Sequence, residues 1–566
     1  MRYVVGAAFL ISCISHGIQP PFLQKSSAHA EQLLHLMTLR EKIGQLFMVP
    51  VTSIFYEPND PLAPTQYDCP YNLDPAYIKT LIRDYHVGGL IFLFKSEPEL
   101  QRTALHMYQQ EAKIPLLIGQ DLEWGLSQSL DHDPSKVTRY PHFMTLGALA
   151  PVHEHLIYQL GYEIGMQCTQ IGVHLIFAPV ADVNNNPKNP VIHDRSFGDN
   201  AATVARRAAL YARGLQDAGV IACTKHFPGH GDVEVDSHEE LPALMHTRDR
   251  LNAIELPPFK TLINAGIGAV MTAHLYIPAY DATPHRSSSM SYAVVTQLLK
   301  DELHFQGLAI TDGLGMKAIT KYYKPGELEL EEFLAGNDIL LCPVDVPRAV
   351  ELIEHAIKTG RIAEADLDRR VLKILHAKEW ASAQQCKNIA HDPLAYLVRP
   401  KARALQEELY RKTITIVRNT LKDPFTEALL KRSCILHIGG STQHQFKNVG
   451  IYHQVSAGMQ EDEKTHCLTA AQQTDTVIIL MQGMNKFAQK DFGIAPNTRT
   501  LIQQLKAQHK KIIVVLFGSP YSVEYVKDAD AIILAYAYKD TPALWQGVYD
   551  VLCGTLKAEG ILPVNL

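Results

Sequence analysis

From Ile43 onward, short apolar runs bounded by turn residues alternate with longer stretches whose apolar positions recur every three or four residues. The first pattern reads as buried strands and the second as amphipathic helices. Candidate strands are 43–49 (IGQLFMV), 87–94 (VGGLIFLF), 115–121 (PLLIGQD), 173–182 (VHLIFAPVAD), 220–227 (VIACTKHF), 267–274 (IGAVMTAH), 308–313 (LAITDG) and 338–344 (DILLCPV). Stretches such as EHLIYQLGYEIGMQCTQI and AATVARRAALYARGLQDA fill the gaps with helical periodicity. Eight βα units over roughly 330 residues predict a TIM barrel, a (β/α)8 ring of parallel strands inside a ring of helices.

After LDRRVLKILHAKEW comes a polar connector, about 381 to 402, and a second alternation begins. Its strand-like runs are TITIVRN, CILHIG, DTVIILM, KIIVVLFG and AIILAYA. Five such runs separated by helices predict an open α/β sheet rather than a second barrel. The expected layout is a targeting segment and linker at 1–30, a barrel at 31–385, a linker at 386–402 and a smaller C-terminal α/β sandwich domain at 403–566.

Composition narrows the function classes. A chain of 566 residues is too long for one ordinary core. Hydrophobic residues at 46% and charged residues at 20% describe a soluble globular protein. A net charge of -6 carries no footprint for nucleic acid. The cysteines at 13, 69, 168, 223, 342, 386, 434, 467 and 553 are scattered, odd in number and without a CxxC pair, which argues against a disulfide framework or a zinc–cysteine site. The N-terminus changes the picture: Arg2 precedes YVVGAAFLISCIS, too short for an ordinary membrane span but suited to a signal-peptide core. Export is therefore expected, to the periplasm or cell envelope. Leu10–Cys13 resembles a lipoprotein box, which would lipidate Cys13 and anchor the chain to a membrane. SSAHA, ending at Ala30, offers another cleavage site.

In a barrel, chemistry gathers where strands end and βα loops begin. Asp121 and Glu123 close the third candidate strand, Asp182 the fourth, Lys225 and His226 the fifth, His274 the sixth and Asp312 the seventh. A lone Asp at a strand end is ordinarily a capping or paired residue; seven polar residues at successive ends point to a shared site. The densest stretch is KHFPGHGDVEVDSH, from Lys225 to His238. One reading is a metal centre built from His226, His230, His238 and an acid, as in metal-dependent barrel hydrolases, although no recognisable ligand spacing is present. The other is acid–base chemistry on a glycoside, which needs a nucleophile or base on one side of the sugar and a proton donor on the other. Asp312 is a short acid followed by Gly313, open to close approach. Asp236, two residues before His238, can fix that imidazole's tautomer and raise its basicity. His238 would otherwise be a solvated loop histidine.

KHFPGHGDVEVDSH, with MTLREKIGQLFMV, IPLLIGQDLEWG, FAPVADVNNNP, DRSFGD, VMTAHL and ITDGLGM, resembles the β-N-acetylhexosaminidase branch of glycoside hydrolase family 3 over about 31–385. VVLFGSPYSV and LCGTLKAEGILPV resemble the sandwich domain of its two-domain members. The resemblance implies Asp312 as nucleophile, His238 as acid/base and Asp236 as its partner. It implies Asp121, Arg195, Lys225 and His226 as contacts for a terminal N-acetylglucosamine, with no cofactor and no metal. Glu123 reads as a support for the third-strand loop. There are departures: DLEWGLSQS stands where the family pattern is D-Q-E-G-G-R-V-Q-R, so Leu126 and Ser129 replace arginines, and Trp124 is either a stacking wall or filler. The expectation is a retaining exo-glycosidase acting on N-acetylglucosamine-containing glycans, with peptidoglycan fragments ahead of chitin oligosaccharides. Because a deprotonated histidine carries no negative charge, phosphate is an alternative acceptor to water. A sugar-binding protein without turnover is the non-enzyme alternative.

Overall fold

The computed structural model describes residues 17–25, 27–52, 71–93, 95–130, 133, 135–237, 239–440, 444–537 and 541–566. The first sheet contains β1 (Phe47–Val51), β2 (Gly89–Phe92), β3 (Leu117–Gln120), β4 (Leu175–Ile176), β5 (Ile221–Phe227), β6 (Ala269–Thr272), β7 (Leu308–Thr311) and β8 (Leu340–Leu341). Its order is β7-β6-β5-β4-β3-β2-β1-β8. Ile310 bridges Ile339 in parallel, and Thr311 N–H donates to Ile339 O at 3.0 Å, which joins β7 to β8 and closes the barrel. Every residue of these strands is buried, as expected of parallel strands covered by helices outside and filled by side chains inside.

The strands are shorter than the apolar runs. Ile43 and Gly44 belong to a helix, Leu39–Gly44, fixed by a capping box in which Thr38 N–H donates to Glu41 at 2.7 Å and Glu41 N–H donates to Thr38 Oγ1 at 3.3 Å. The run 173–182 keeps only two ladder residues because Pro179 has no N–H to donate. Pairing resumes at Val180, which bridges Lys225.

The second sheet holds β9 (Thr415–Asn419), β10 (Cys434–Ile438), β11 (Ile451–Val455), β12 (Thr476–Met481), β13 (Lys511–Leu516) and β14 (Ala531–Leu534). Its order is β11-β10-β12-β13-β14-β9, parallel except for β9 against β14. Apolar clusters cover both faces, making an α/β sandwich. Strand β11 was not among the expected runs: IYHQV is a half-exposed edge carrying His453 and Gln454. The polar stretch from 381 begins as helix, since Glu364–Asn388 is continuous and Ala381 is buried on it. Helices Pro393–Tyr396 and Pro400–Thr413 lead into β9.

The two domains meet beside the barrel mouth. The chain end returns to the barrel: Ile561 N–H donates to Ala148 O at 2.8 Å, and Asn565 N–H to Asp199 Oδ2 at 2.6 Å. At the other terminus Phe22 and Ala30 are buried in the barrel core, and Ile18 N–H donates to Asn264 O at 3.1 Å. Among the described residues no helix is long and apolar enough to cross a membrane, and none of the described cysteines forms a disulfide.

Candidate active site

Four polar residues expected at strand ends, Asp121, Asp182, Lys225 and His226, come together with Arg195 around the buried carboxylate of a fifth, Glu123. Glu123, in the loop after β3, has a side chain only 1% exposed; Lys225 Nζ lies 2.8 Å from its Oε1 and Arg195 Nη2 2.7 Å from the same atom. Arg195 Nε also donates to Oε2 at 3.0 Å, so the guanidinium grips the carboxylate with two nitrogens. Lys225 reaches Asp121 Oδ1 at 2.6 Å, and the Asp121 side chain is 39% exposed, the open end of the network. Burial opposes ionisation of Glu123, but Arg195 and Lys225 outweigh it and hold its carboxyl far below the carboxylate range. Burial likewise works against Lys225, and Asp121 and Glu123 carry its pKa above the ordinary value. Glu123, Lys225 and Arg195 are therefore charged near neutrality, and with Asp121 they make a fixed set of donors and acceptors suited to sugar hydroxyls.

His226 joins this set through Arg195, whose Nη2 lies 3.3 Å from His226 Nε2. Its Nδ1 lies 2.7 Å from Asp182 Oδ2, and Asp182 also accepts the backbone N–H of His226 at 3.2 Å and of His230 at 2.7 Å. Asp182 is thus the hub of the KHFPGHG turn. Glycine is required there: a Cβ on Gly231 would stand 1.8 Å from Val183 O, and Gly229 has φ +136°. Burial, with His226 adding to it, pushes the His230 imidazole down to about 4, so it is neutral. Its Nε2 lies 3.1 Å from Ser237 Oγ, which docks the loop between Asp236 and position 238. Asp236 is half-buried, and its carbonyl accepts the N–H groups of Glu239 and Glu240 at 3.0 Å each. His238 lies outside the described residues.

Asp312 follows β7. Its N–H donates to Thr272 O at 2.9 Å and its Oδ1 accepts Gly313 N–H at 2.8 Å. As the residue after β7, Asp312 opens on the same C-terminal mouth of the barrel as Asp121, the residue after β3. A metal reading fits poorly, because the His226 nitrogens face Asp182 and a guanidinium, and His230 faces Ser237. The nearest approach to a ligand set among the described residues, Asp232, His246 and Glu255, is already filled by Arg250, 2.6 Å from Glu255 and 3.3 Å from Asp232.

The departures in DLEWGLSQS have structural explanations. Leu126 is fully buried, and Ser129 Oγ donates to Asp121 O at 2.7 Å, bracing the acid rather than meeting a ligand. Trp124 stacks on His142 with ring centroids 4.0 Å apart. That pair lines an interdomain cavity of about 330 Å³ with Lys486 and Phe487 of the second domain. His142 Nδ1 lies 2.5 Å from Asp194, the neighbour of Arg195. Sequence reasoning missed Ser289 and Glu332, which lie behind β7; no local pattern marks them, since each meets its partners only across the fold.

A closed parallel barrel with a buried ionic cluster and a carboxylate at its C-terminal mouth has the layout of a barrel enzyme. The chain belongs to glycosyl hydrolase family 3: residues 38–377 match the family's N-terminal domain, and the protein is a glycoside hydrolase. It is 28% identical to beta-hexosaminidase A of Pseudoalteromonas piscicida, over 96% of this chain and 99% of that protein. Beta-hexosaminidase LpqI of Mycobacterium tuberculosis is 30% identical, over 67% of this chain and 96% of its own. Among solved structures, the family 3 beta-N-acetylglucosaminidase from Paenibacillus sp. superposes with a TM-score of 0.73 and 30% identity, covering 94% of this chain and 99% of that one.

Proposed function

We propose that the protein is a retaining exo-β-N-acetylglucosaminidase that removes the terminal non-reducing N-acetylglucosamine of peptidoglycan fragments. The observation that carries this reading is the Asp121–Lys225–Glu123–Arg195–His226 cluster standing in one mouth with Asp312. The cluster orients the sugar hydroxyls, with Asp121 accepting and Lys225, Arg195 and His226 donating. Asp312 attacks the anomeric carbon as its bond to the leaving oxygen breaks, and that oxygen takes a proton from His238. Water then gives a proton back to His238 and displaces Asp312, so the configuration is retained. Asp236 orients His238 and stabilises its charged form. The hexosaminidase relatives of matching length support the choice of sugar.

For location, the reading is an exported protein lipidated at Cys13. The burial of Phe22 and Ala30 supports processing upstream of Phe22 over cleavage after Ala30, which would cut the helix Ala28–Leu36 and strip core contacts. The test of function is product analysis with the purified protein on disaccharide-peptide fragments and on chitobiose, in phosphate and phosphate-free buffers. Release of free N-acetylglucosamine, faster from the fragments, is expected. N-acetylglucosamine 1-phosphate as the main product would replace water with phosphate as acceptor, and equal or faster chitobiose cleavage would overturn the choice of aglycone.

A further inference from the structure

Behind β7 lies a buried hydrogen-bond chain that the reaction above does not use. Ser289 Oγ stands 2.8 Å from His274 Nδ1 and 2.7 Å from Glu332 Oε1, and all three residues are fully buried. His274 Nε2 lies 3.2 Å from Gly313 O. Gly313 in turn donates its N–H to Asp312 Oδ1. The chain therefore runs from a glutamate on the helix Glu327–Ala335 to the Gly313 carbonyl, and the backbone of Gly313 links it to the carboxylate read above as the nucleophile.

Donor counting restricts its protonation. A carbonyl only accepts, so the contact with Gly313 O is a hydrogen bond only when His274 carries hydrogen on Nε2. If the imidazole is neutral, Nδ1 is an acceptor and Ser289 gives it its only hydroxyl hydrogen. The contact between Ser289 and Glu332 is then a hydrogen bond only if Glu332 supplies the proton. Glu332 Oε2 accepts Asn337 Nδ2 at 2.9 Å, which leaves Oε1 to carry that hydrogen. Ser287 Oγ, 2.8 Å from Ser289 Oγ, donates into the remaining lone pair. The competing arrangement, ionised Glu332 with an imidazolium at 274, makes the same contacts but buries a carboxylate whose charge Glu329, Asp312 and Glu331 oppose. Burial first, and then those three acids, push the Glu332 carboxyl up to about 8 against the Ser289 hydrogen bond.

We propose that Glu332, Ser289 and His274 are positioning residues, with Glu332 held as the neutral acid, that pin the Gly313 carbonyl and so fix the direction of the Asp312 carboxylate. The proposal rests on reading Asp312 as the nucleophile. Gly313 has no side chain to limit its backbone, and a Cβ there would meet nothing closer than Tyr71 at 3.7 Å, so the hold on Gly313, whose N–H meets the Asp312 carboxylate, comes from contacts such as that of His274 with its carbonyl.

Glu332→Gln tests this, because an amide reproduces the neutral acid: its oxygen accepts from Asn337 and its nitrogen donates to Ser289. Single-turnover glycosylation by nitrophenyl N-acetylglucosaminide should stay within about threefold of wild type in Glu332→Gln, whereas Glu332→Leu, His274→Phe and Ser289→Ala should fall by about 10- to 100-fold, the scale of a displaced reacting group, with little change in substrate binding. The wild-type rate should decline as pH rises through about 8, where Glu332 ionises, and Glu332→Gln should lack that component. In infrared difference spectra of wild type minus Glu332→Gln at neutral pH, a carboxylic-acid carbonyl band should appear, and it should persist in an Asp312→Asn background. A Gln variant as slow as the Leu variant, a Leu variant as fast as wild type, or a carboxylate band in place of the acid band would overturn the proposal. Turnover by Asp312→Ala would instead sink the reading of the nucleophile, while the infrared result still decides the state of Glu332.

Discussion

Glu123 sits between two cations with almost no water, whereas Asp121, bound to the same lysine, is 39% exposed. The two acids should therefore fail differently. Glu123→Gln leaves Arg195 and Lys225 buried with one partner fewer, a defect that costs about 3–5 kcal/mol when a buried pair is broken. Asp121→Asn removes a solvent-screened partner and should cost about 1 kcal/mol or less in stability, with its main effect on KM. Urea unfolding and steady-state kinetics of both variants check this; equal loss of stability would contradict the burial argument. At this scale much was legible, because Asp121, Lys225, His226 and Asp312 stand at strand ends that apolar runs reveal. Arg195 was legible only through DRSFGD, and Ser289 and Glu332 not at all, since residues 43 apart meet only once the helix packs behind β7.

At the scale of elements, Asp338 joins β7 to helices outside the barrel. Its carboxylate accepts Ala309 N–H at 2.8 Å and lies 3.0 Å from Lys373 and 3.3 Å from Lys300. Burial opposes its ionisation, yet Lys300, Lys373 and Arg370 hold the pKa at about 2. A carboxylate depressed in the folded state contributes stability above its unfolded pKa and loses it as pH falls through the folded value. Wild-type stability should therefore decline between about pH 4 and 2 with a contribution that Asp338→Asn lacks. The variant should also be less stable at neutral pH by about 3–5 kcal/mol, as for other broken buried pairs. Thermal unfolding against pH measures both, and an unchanged acid slope would count against the assignment. The elements themselves show where sequence patterns stop. Strand β11 escaped because an edge strand with one wet face loses the apolar run, and the start of β1 was masked by a capping box that turns Ile43 and Gly44 into helix.

Across the whole molecule, the C-terminal tail braces the loop that carries Arg195. Asp199 N–H donates to Pro563 O at 3.3 Å, Asp199 Oδ2 accepts Asn565 N–H, and a Cβ on Gly198 would stand 2.2 Å from Pro563 O. If Arg195 binds the sugar as proposed, deleting 561–566 should raise KM by about tenfold and change kcat less, because loosening it weakens binding before it touches the step at the anomeric carbon. A truncated enzyme with unchanged KM would assign the tail to stability alone. Two domains and their order were legible from alternating periodicity, but the contact between them was not, because it is made by short loop and tail segments with no repeat of their own. The claim on which the account turns is a covalent sugar on Asp312. Mixing a His238→Ala variant with nitrophenyl N-acetylglucosaminide, quenching in acid and mapping the peptides by mass spectrometry measures it directly. An N-acetylhexosaminyl adduct should accumulate on the peptide that contains Asp312, since the leaving group departs without protonation while water lacks its base. An adduct on another residue, or an inverted product formed with no adduct, would contradict it.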